Sequence, residues 1–400
     1  MKYRFLTRIV VTLSVVSLFT DISSEMLYPV MPVFLTSIGF TALWIGLMEG
    51  IAEAVVGLSK GYFGKWSDVS GRRLPFVIIG YLFSSVFKPL IAVFTSVAAV
   101  FFLRSTDRLG KGIRTAARDA MLVHESDDEH RGKVFGFHRA MDTLGAAMGP
   151  VLALIYLHYH PGDYKQLFLY AFIPAVAGVS LLFFLKDRKA EGVSGQNNSM
   201  PKFFSFLGYW KKSSAAYKHA AKGLIGFALI NSSDAFLLLG AKHAGANDEQ
   251  VILAYIFYNL VYALLAFPAG ALADKIGMKK TFMLGIIFFA ATYTGMAFAT
   301  EAYHVFALFV LYGFYAAIGE TVSRAWLSRL SAKDERATAL GFYSGMTSLA
   351  LMAASSAAGG IWVAIGADAV FLFSAIGAIM VLFYFAFTKP KEQNNAEHTV

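Results

Sequence analysis

The chain has 400 residues, of which 57% are hydrophobic and 15% are charged, and its formal net charge is +9. A soluble protein of this length carries roughly 25% charged residues to cover its surface, so the composition excludes an ordinary soluble enzyme and indicates a chain surrounded by lipid. The absence of cysteine excludes thiol catalysis, disulfides and cysteine-ligated metals.

Each helical crossing of a bilayer needs about 20 apolar residues. Stretches of this length recur along the chain; residues 281–300 and 369–388, for example, contain no Asp, Glu, Lys or Arg. The hydrophobic pattern predicts an all-α membrane protein with twelve transmembrane helices. The first stretch is interpreted as a retained helix, because no small-residue cleavage site follows it. The predicted spans are 9–36, 43–64, 74–95, 97–116, 133–158, 166–186, 219–241, 250–273, 281–300, 303–327, 336–364 and 367–388.

The basic residues lie mostly on one side of the predicted membrane. Of the 35 Lys and Arg residues, 27 fall in the termini, in the even-numbered loops or within three residues of the adjoining span ends, two fall in the odd-numbered loops and six lie deeper within spans. The positive-inside rule then places both termini and the central loop in the cytoplasm. This distribution predicts a multi-pass protein of the cytoplasmic (inner) membrane without a nucleic-acid partner. The expected partners are the lipid bilayer and a small-molecule substrate, and the chain is expected to be a monomer.

The two halves of the sequence repeat each other at an offset near 206 residues. Residues 64–73, with the sequence GKWSDVSGRR, are echoed by residues 270–280, and Arg118 is echoed by Arg324. Such a repeat predicts that one six-helix unit is used twice in the same chain.

The repeat also predicts the domain organisation. An N-terminal six-helix bundle occupies residues 1–186, and a C-terminal bundle with a short cytoplasmic tail occupies residues 219–400. Residues 187–218 between them are polar and rich in lysine, which is typical of a cytoplasmic linker. Within that linker, the more apolar stretch 202–210 is a candidate interfacial helix.

The sequence has twelve spans in two sets of six and a long basic central loop. It also has the motif G-x-x-x-D-x-x-G-R-R after the second span, with a copy after the eighth. In these features it resembles the major facilitator superfamily. The runs 19–26 (FTDISSEM) and 107–115 (DRLGKGIRT) are similar to a prokaryotic branch of that superfamily without a defined substrate. The resemblance implies a transporter rather than an enzyme, with two pseudo-symmetric bundles that alternate access to a central site.

The duplicated motif is expected to act in gating. In families with this motif, a carboxylate at one helix end and basic residues at the start of the next helix form a conformational latch. The alternative is that these charges only orient the loops, and the second copy has Lys in place of Arg, which loses bidentate pairing. The gating candidates are Asp68, Arg72, Arg73, Asp274, Lys279 and Lys280.

The fifth span contains Gly145, Gly149 and Pro150, which resemble the G-x-x-x-G-P signature of antiporters in this superfamily. Small residues allow helices to approach closely and proline bends a helix, so these residues are predicted to form a hinge at the interface between the halves. Passive helix packing is the alternative.

Ionisable residues within spans are the best guide to a transport path, because a charge that faces lipid is costly. Asp21 and Glu25 lie four residues apart on one helix face, where two ionised carboxylates repel and one readily accepts a proton. They are the leading proton-coupling candidates, and His138 with Asp142 is the second pair. Static pairing with nearby cations is the alternative.

The remaining polar residues within spans are candidates for binding substrate. Lys88, Arg104 and Arg108 are expected to receive a carboxylate or phosphate group. Glu49, Glu53 and the pair Asp107 and Arg108 rank lower as proton-coupling candidates, and a local brace is the alternative for the pair. Tyr28, Tyr255 and Tyr258 are among the aromatic residues expected to line the cavity. On the C-terminal side, the substrate-binding candidates are Asn231, Ser233, Asp234, Asn259 and Glu320.

The sequence has neither a phosphate-binding loop nor a metal-ligand cluster, so the prediction includes no metal and no cofactor, with a proton gradient as the energy source. His158 and His160 are interpreted as incidental. The predicted function is proton-coupled antiport that exports a small organic solute. The alternatives are a proton symporter or a facilitative uniporter for an anionic or zwitterionic metabolite and, from another class, a membrane solute sensor or a lipid flippase.

Overall fold

The structure is a computed structural model that describes residues 6–125, 131–186, 204–332 and 335–389. In these ranges it consists of α-helices with one 3-10 turn at Ser205–Gly208 and no β-strand. The helices are α1 (Arg8–Leu27), α2 (Met31–Ser37), α3 (Ala42–Ser70), α4 (Leu74–Val93), α5 (Val97–His124), α6 (Arg131–Tyr159), α7 (Tyr164–Leu182), α8 (Tyr209–Lys212), α9 (Ala215–Ala228), α10 (Ala235–His243), α11 (Asp248–Ile276), α12 (Met278–Ala297), α13 (Ala302–Arg329), α14 (Arg336–Ala364) and α15 (Ala367–Phe387).

Ten of the described helices are long and apolar enough to cross a membrane. Helix α5 has 28 residues, enough to cross as well, although it carries many charged side chains. The short helices α9 and α10 follow one another and together form the seventh crossing, as α1 and α2 form the first. The described chain thus makes twelve crossings, and the predicted all-α membrane fold is confirmed.

Helix lengths repeat between the two parts of the chain. Helices α3 and α11 both have 29 residues, and α4 and α12 both have 20. Helices α5 and α13 both have 28 residues, and α6 and α14 both have 29. We refer to α1–α7 as the N-half and to α9–α15 as the C-half.

The first crossing of each half is interrupted, which corrects the unbroken helices predicted over 9–36 and 219–241. Helix α1 ends before Pro29, and Pro32 lies in the first turn of α2, because proline lacks an N–H donor and clashes with the preceding turn. Residues 229–234 separate α9 from α10. Within this segment, Ser233 Oγ accepts a hydrogen bond from the Ala235 N–H, and a side-chain bond of this kind competes with the helix.

The candidate interfacial helix at 202–210 is reduced to short turns in its described part, which begins at residue 204. The 3-10 turn leads into the four-residue helix α8. Trp210 stacks on Phe342 of α14 with ring centroids 5.5 Å apart, and Tyr209 packs edge-on against Tyr217 of α9. This segment therefore packs on the C-half.

The two halves are closed together at one face of the bundle. Consecutive crossings alternate in direction, so the start of α1 and the α3–α4 loop share one face, here named the terminal face, and the α2–α3 loop lies at the opposite, distal face. A single buried cluster on the distal side contains Phe34 and Leu35 of the N-half with Phe236, Ile252 and Ala358 of the C-half. Burial of this shared apolar surface holds the distal face closed.

The seam between α3 and α14 shows where the halves separate. A Cβ added at Gly46 would lie 2.2 Å from the Ser355 carbonyl oxygen, and one at Gly50 would lie 2.8 Å from that of Met352, so the backbones are in direct contact there. Nearer the terminal face, a Cβ at Gly61 would meet no atom within 4 Å. The two helices therefore diverge from the distal face towards the terminal face.

Candidate functional site

A charged cavity lies inside the N-half, lined by side chains of α1, α2, α4 and α5 and by Tyr28. The cavity is small and has room for roughly three water molecules. An organic solute therefore requires the cavity to widen. The ionisable residues among those that line it are Asp21, Glu25, Lys88, Arg104, Asp107, Arg108, Lys111 and Arg114.

Arg104 forms the most complete ion pair of this site. Its Nε and Nη2 atoms donate to Glu49 Oε1 at 3.1 and 2.9 Å, and its Nη1 atom lies 3.6 Å from Asp107 Oδ2. The Arg104 and Glu49 side chains are 5% and 4% exposed. Arg104, predicted as a substrate ligand, is thus already held by two carboxylates, one of them from Glu49, which the sequence ranked as a weak candidate.

Asp107 is the centre of the cationic cluster. Its two carboxylate oxygens lie 4.0 Å from Lys88 Nζ and 4.0 Å from Arg108 Nε. Lys88 also donates to Ser24 Oγ on α1 at 2.6 Å. The sequence treated Asp107 as a local brace, but it faces three cations, including Arg104, from two helices. Its role as a counter-ion explains how so many basic side chains remain buried together.

Lys111 differs from the other cations that line the cavity. It follows Arg108 by three residues, which places both on one face of α5. Arg114 is buried; its guanidinium donates to Ser84 Oγ and lies over the Tyr81 ring, 4.5 Å from the ring centroid. Lys111, in contrast, is exposed to the open space. Among the described contacts, its ammonium group has neither a hydrogen bond nor an ion pair. Lys111 is therefore the cation best placed to meet a ligand.

Asp21 and Glu25 line the same cavity from α1, as the four-residue spacing predicts. Helix α6 packs closely behind them. A Cβ at Gly145 would lie 2.5 Å from the Leu18 carbonyl oxygen, and one at Gly149 would lie 2.7 Å from that of Ile22. Gly145 and Gly149 therefore face α1 within the N-half, which corrects their predicted position at the interface between the halves.

His138 and Asp142 lie on α6, outside the set of residues that lines the cavity. His138 is 4% exposed; its Nδ1 atom is 3.3 Å from Ser14 Oγ, and its Nε2 atom is 3.7 Å from Asp142 Oδ1. The pair therefore connects α6 to the start of α1, and Asp142 lies next to Asp21 rather than among the cations Lys111 and Arg108.

The C-half carries a smaller polar cluster at the interrupted seventh crossing. Asp234 accepts hydrogen bonds from Tyr312 at 2.6 Å and from Tyr258 at 3.4 Å. Asn231 donates to the Tyr315 hydroxyl at 2.9 Å. These contacts hold the short segment between α9 and α10 against α11 and α13 through neutral hydroxyl groups.

The other C-half candidates make hydrogen bonds to neighbouring parts of the protein. The Ser233 backbone N–H donates to Ser355 Oγ at 3.0 Å, and Asn259 Nδ2 donates to the backbone oxygen of Tyr255 at 2.9 Å. Both groups are thus occupied by the protein itself. The side chain of Glu320 lies outside the described residues.

Contacts between the halves include two polar bonds that the sequence could not pair. Tyr255 of α11 donates to Glu25 Oε2 of α1 at 2.8 Å. At the distal face, His158 Nδ1 lies 3.1 Å from Glu249 Oε1. His158, interpreted as incidental rather than as part of a metal site, thus bridges α6 to the start of α11.

The first copy of the gating motif contacts its own half. Arg73 Nη1 donates to the Ala120 backbone oxygen near the end of α5 at 3.2 Å, and Arg72 is exposed. The side chain of Asp68 lies outside the described residues. The basic part of this copy therefore anchors the α3–α4 loop to α5.

The second copy pairs differently from the prediction. Asp274 is bonded to Arg329 at the end of α13, with 2.6 Å between Oδ1 and Nη2, rather than to Lys279 or Lys280. Both side chains are about 60% exposed. The pair joins α11 to α13 inside the C-half, which matches the separation of the halves at the terminal face.

Fold and site together define the class of protein. A membrane bundle of two repeated halves, closed at one face and enclosing charged side chains near the middle of its helices, is the architecture of a secondary transporter.

The comparisons with known proteins agree. The model of the Major Facilitator Superfamily matches residues 13–240 and 223–399. An uncharacterized MFS-type transporter of Methanocaldococcus jannaschii is 34% identical over 383 residues, which is 94% of each chain. The solved structure of the nucleoside transporter NupG has a TM-score of 0.77 at 12% identity and covers 95% of this chain and 98% of its own. The chain belongs to the major facilitator superfamily and is a transporter rather than an enzyme.

Two further relatives carry substrate names. A probable 4-methylmuconolactone transporter of Cupriavidus pinatubonensis is 23% identical over 325 residues, covering 78% of this chain and 73% of the relative. Citrate exporter 1 of Aspergillus niger is 24% identical over 180 residues, covering 44% of this chain and 33% of the exporter.

Proposed function

We propose that this protein transports a small organic anion and protons together, by alternating access between the two faces of the membrane. The observation that carries the proposal is the cavity in which Lys111 and Arg108 lie beside Asp21 and Glu25. Cationic side chains attract a carboxylate or phosphate group, and adjacent carboxylates accept protons.

The charge balance explains why the two ligands are expected to bind together. Arg104 is neutralised by Glu49, which leaves four cations and three carboxylates among the residues that line the cavity, and Glu53 interacts with Arg108 as a fourth carboxylate from outside that lining. A proton on Asp21 or Glu25 adds one positive charge and strengthens attraction for an anion, and by linkage a bound anion favours protonation. The four cations are Lys88, Arg108, Lys111 and Arg114, and the four carboxylates are Asp21, Glu25, Asp107 and Glu53, which faces Arg108.

This electrostatic argument favours symport, the alternative left open by the sequence. Export by antiport remains a second candidate, supported by the partial likeness to a protein called citrate exporter 1. The direction of flux under an imposed pH gradient separates the two. Symport moves the anion with the protons, whereas antiport moves it against them.

The proposed setting is the cytoplasmic (inner) membrane, with the terminal face and both termini in the cytoplasm. This orientation follows from the excess of Lys and Arg in the terminal-face loops. The structure then corresponds to a state that is closed to the outside. We further propose that one chain, without a cofactor, performs the whole cycle and that a proton gradient supplies the energy.

Binding of organic acids to the purified protein tests the substrate class. A panel of mono-, di- and tricarboxylates and phosphate esters is screened for thermal stabilisation at acidic and at neutral pH. At least one anion is expected to stabilise the protein, and more strongly at acidic pH. Stabilisation only by cationic or neutral solutes would contradict the proposal.

Lys111→Gln identifies the site of that binding. The substitution removes the cavity cation that makes no hydrogen bond or ion pair among the described contacts, so the Kd of the anion is expected to rise about tenfold, equivalent to roughly 1.4 kcal/mol. Lys165→Gln removes an exposed lysine at the distal end of α7 and serves as the matched control. Equal affinities in the two variants would rule out Lys111 as a ligand.

A further inference from the structure

A hydrogen bond links Glu25, one of the carboxylates that line the cavity of the N-half, directly to the C-half. The Tyr255 hydroxyl on α11 donates to Glu25 Oε2 on α1 at 2.8 Å. We infer that Tyr255 is a positioning residue through which the charge of Glu25 controls closure of the distal face. The inference rests on the proposed proton coupling at Asp21 and Glu25 and adds the contact that transmits it.

Each end of this bond is fixed in its own half. A Cβ at Gly149 would lie 2.9 Å from the Glu25 carbonyl carbon, so α6 holds that part of α1 in place. Tyr255 is 6% exposed and belongs to the buried core of the C-half. The bond therefore persists only while the two halves stay together, and it is lost when they move apart.

The position of the bond suits a gate at the distal face. Glu25 precedes the interruption between α1 and α2, and the ring of Tyr28 in that interruption lies 5.5 Å from the Tyr255 ring. Helix α2 continues from there into the distal cluster with Phe34 and Leu35. A change at Glu25 is thus adjacent to the segment that closes the distal side.

The strength of the bond depends on the charge of Glu25. A hydrogen bond from a hydroxyl to an ionised carboxylate is roughly twice as strong as a hydrogen bond between neutral groups. Protonation of Glu25 therefore weakens the link between the halves and favours opening at the distal face. The charged groups that line the cavity together with Glu25 are Asp21 on α1, Lys88 on α4 and Arg104, Asp107, Arg108, Lys111 and Arg114 on α5, and Asp142 on α6 lies next to Asp21.

Cysteine labelling can measure distal opening directly, because the chain has no cysteine of its own. Leu35 is completely buried in the distal cluster, so Leu35→Cys reports its exposure. The protein is placed in nanodiscs, and the rate of reaction with a hydrophilic maleimide is measured at acidic and at alkaline pH, relative to the rate for a free thiol at the same pH. With Tyr255 present, labelling is expected to be several-fold faster at acidic pH.

Removal of either partner should abolish this response. Tyr255→Phe and Glu25→Gln are each expected to give fast labelling at both pH values, and the double variant should equal either single variant. Tyr258→Phe is the matched control, since Tyr258 lies one turn away on α11 and bonds to Asp234 instead. Melting temperatures establish that each variant is folded.

The outcomes separate this inference from the proposed function, because labelling needs neither substrate nor gradient. If Tyr255→Phe labels as slowly and with the same pH dependence as the parent, or if Tyr258→Phe has the same effect as Tyr255→Phe, the inference is wrong. If Glu25→Gln retains the pH dependence, Glu25 is not the controlling group and the inference also fails. The predicted labelling pattern without any proton-dependent solute flux would support the inference and overturn only the proposed transport coupling.

Discussion

The first and the seventh crossings occupy corresponding places in the two halves and are both interrupted, yet they face different chemistry. The first brings Asp21 and Glu25 to a cavity with five cationic side chains. The seventh brings Asp234 to the hydroxyl groups of Tyr312 and Tyr258. One repeated scaffold therefore presents an ionic wall on the N-half and a wall of neutral hydrogen-bond donors on the C-half.

This difference suggests a division of roles between the two halves. Ions and protons are attracted to the wall that contains charges. Neutral hydroxyl groups instead change the strength of their hydrogen bonds when a nearby group changes its charge. Tyr255 of the C-half, bonded to Glu25, is an example of such a response. Alternating access needs both a site that changes charge and contacts that change strength with it.

The largest expected effect comes from breaking the ionic wall. Arg104→Gln leaves Glu49 buried without its cation, which is expected to cost about 3–5 kcal/mol of the free energy of unfolding. Arg329→Gln breaks the exposed pair with Asp274 and should cost about 0–1 kcal/mol. Thermal unfolding of both variants in the same detergent measures the contrast. Equal losses of stability would contradict the burial of the Arg104 and Glu49 pair.

Removal of a donor from the C-half wall should have a smaller effect. Tyr312→Phe deletes the 2.6 Å bond to Asp234, and a hydrogen bond to a charged group contributes about 1.5–3 kcal/mol. Tyr303→Phe changes an exposed tyrosine at the start of α13 and should remain within about 0.5 kcal/mol of the parent. Unfolding in denaturant reports both values, and a loss for Tyr312→Phe as large as that for Arg104→Gln would remove the contrast between the walls.

The sequence was sufficient to predict the crossings and the repeat. Both follow from local composition and from an offset that can be counted, such as Asp68 with Asp274. The interruptions of the first and seventh crossings were missed because the apolar pattern continues across them. Pro29, Pro32 and the run of Asn, Ser and Asp at 231–234 were the signals present in the chain.

Pairing between helices could not be predicted in the same way. Spacing along a helix placed Asp21 and Glu25 on one face, but nothing in the sequence selects Glu49 as the partner of Arg104 or Arg329 as the partner of Asp274. Such pairs depend on which helices become neighbours and on their rotation. The same limit applies to the glycines. Gly46 and Gly50 have the same spacing as Gly145 and Gly149, yet the first pair contacts α14 and the second contacts α1, and the spacing does not predict which helix is the neighbour.

The measurement that tests the central claim most directly is solute flux into proteoliposomes under an imposed pH gradient, using an anion that binds the purified protein. The parent and Asp234→Asn are expected to show flux driven by the gradient. Asp21→Asn combined with Glu25→Gln is expected to lose the dependence on pH while retaining exchange of the solute across the membrane. Gradient-driven flux that survives in the Asp21 and Glu25 variant but is lost in Asp234→Asn would contradict the assignment of proton coupling to the N-half.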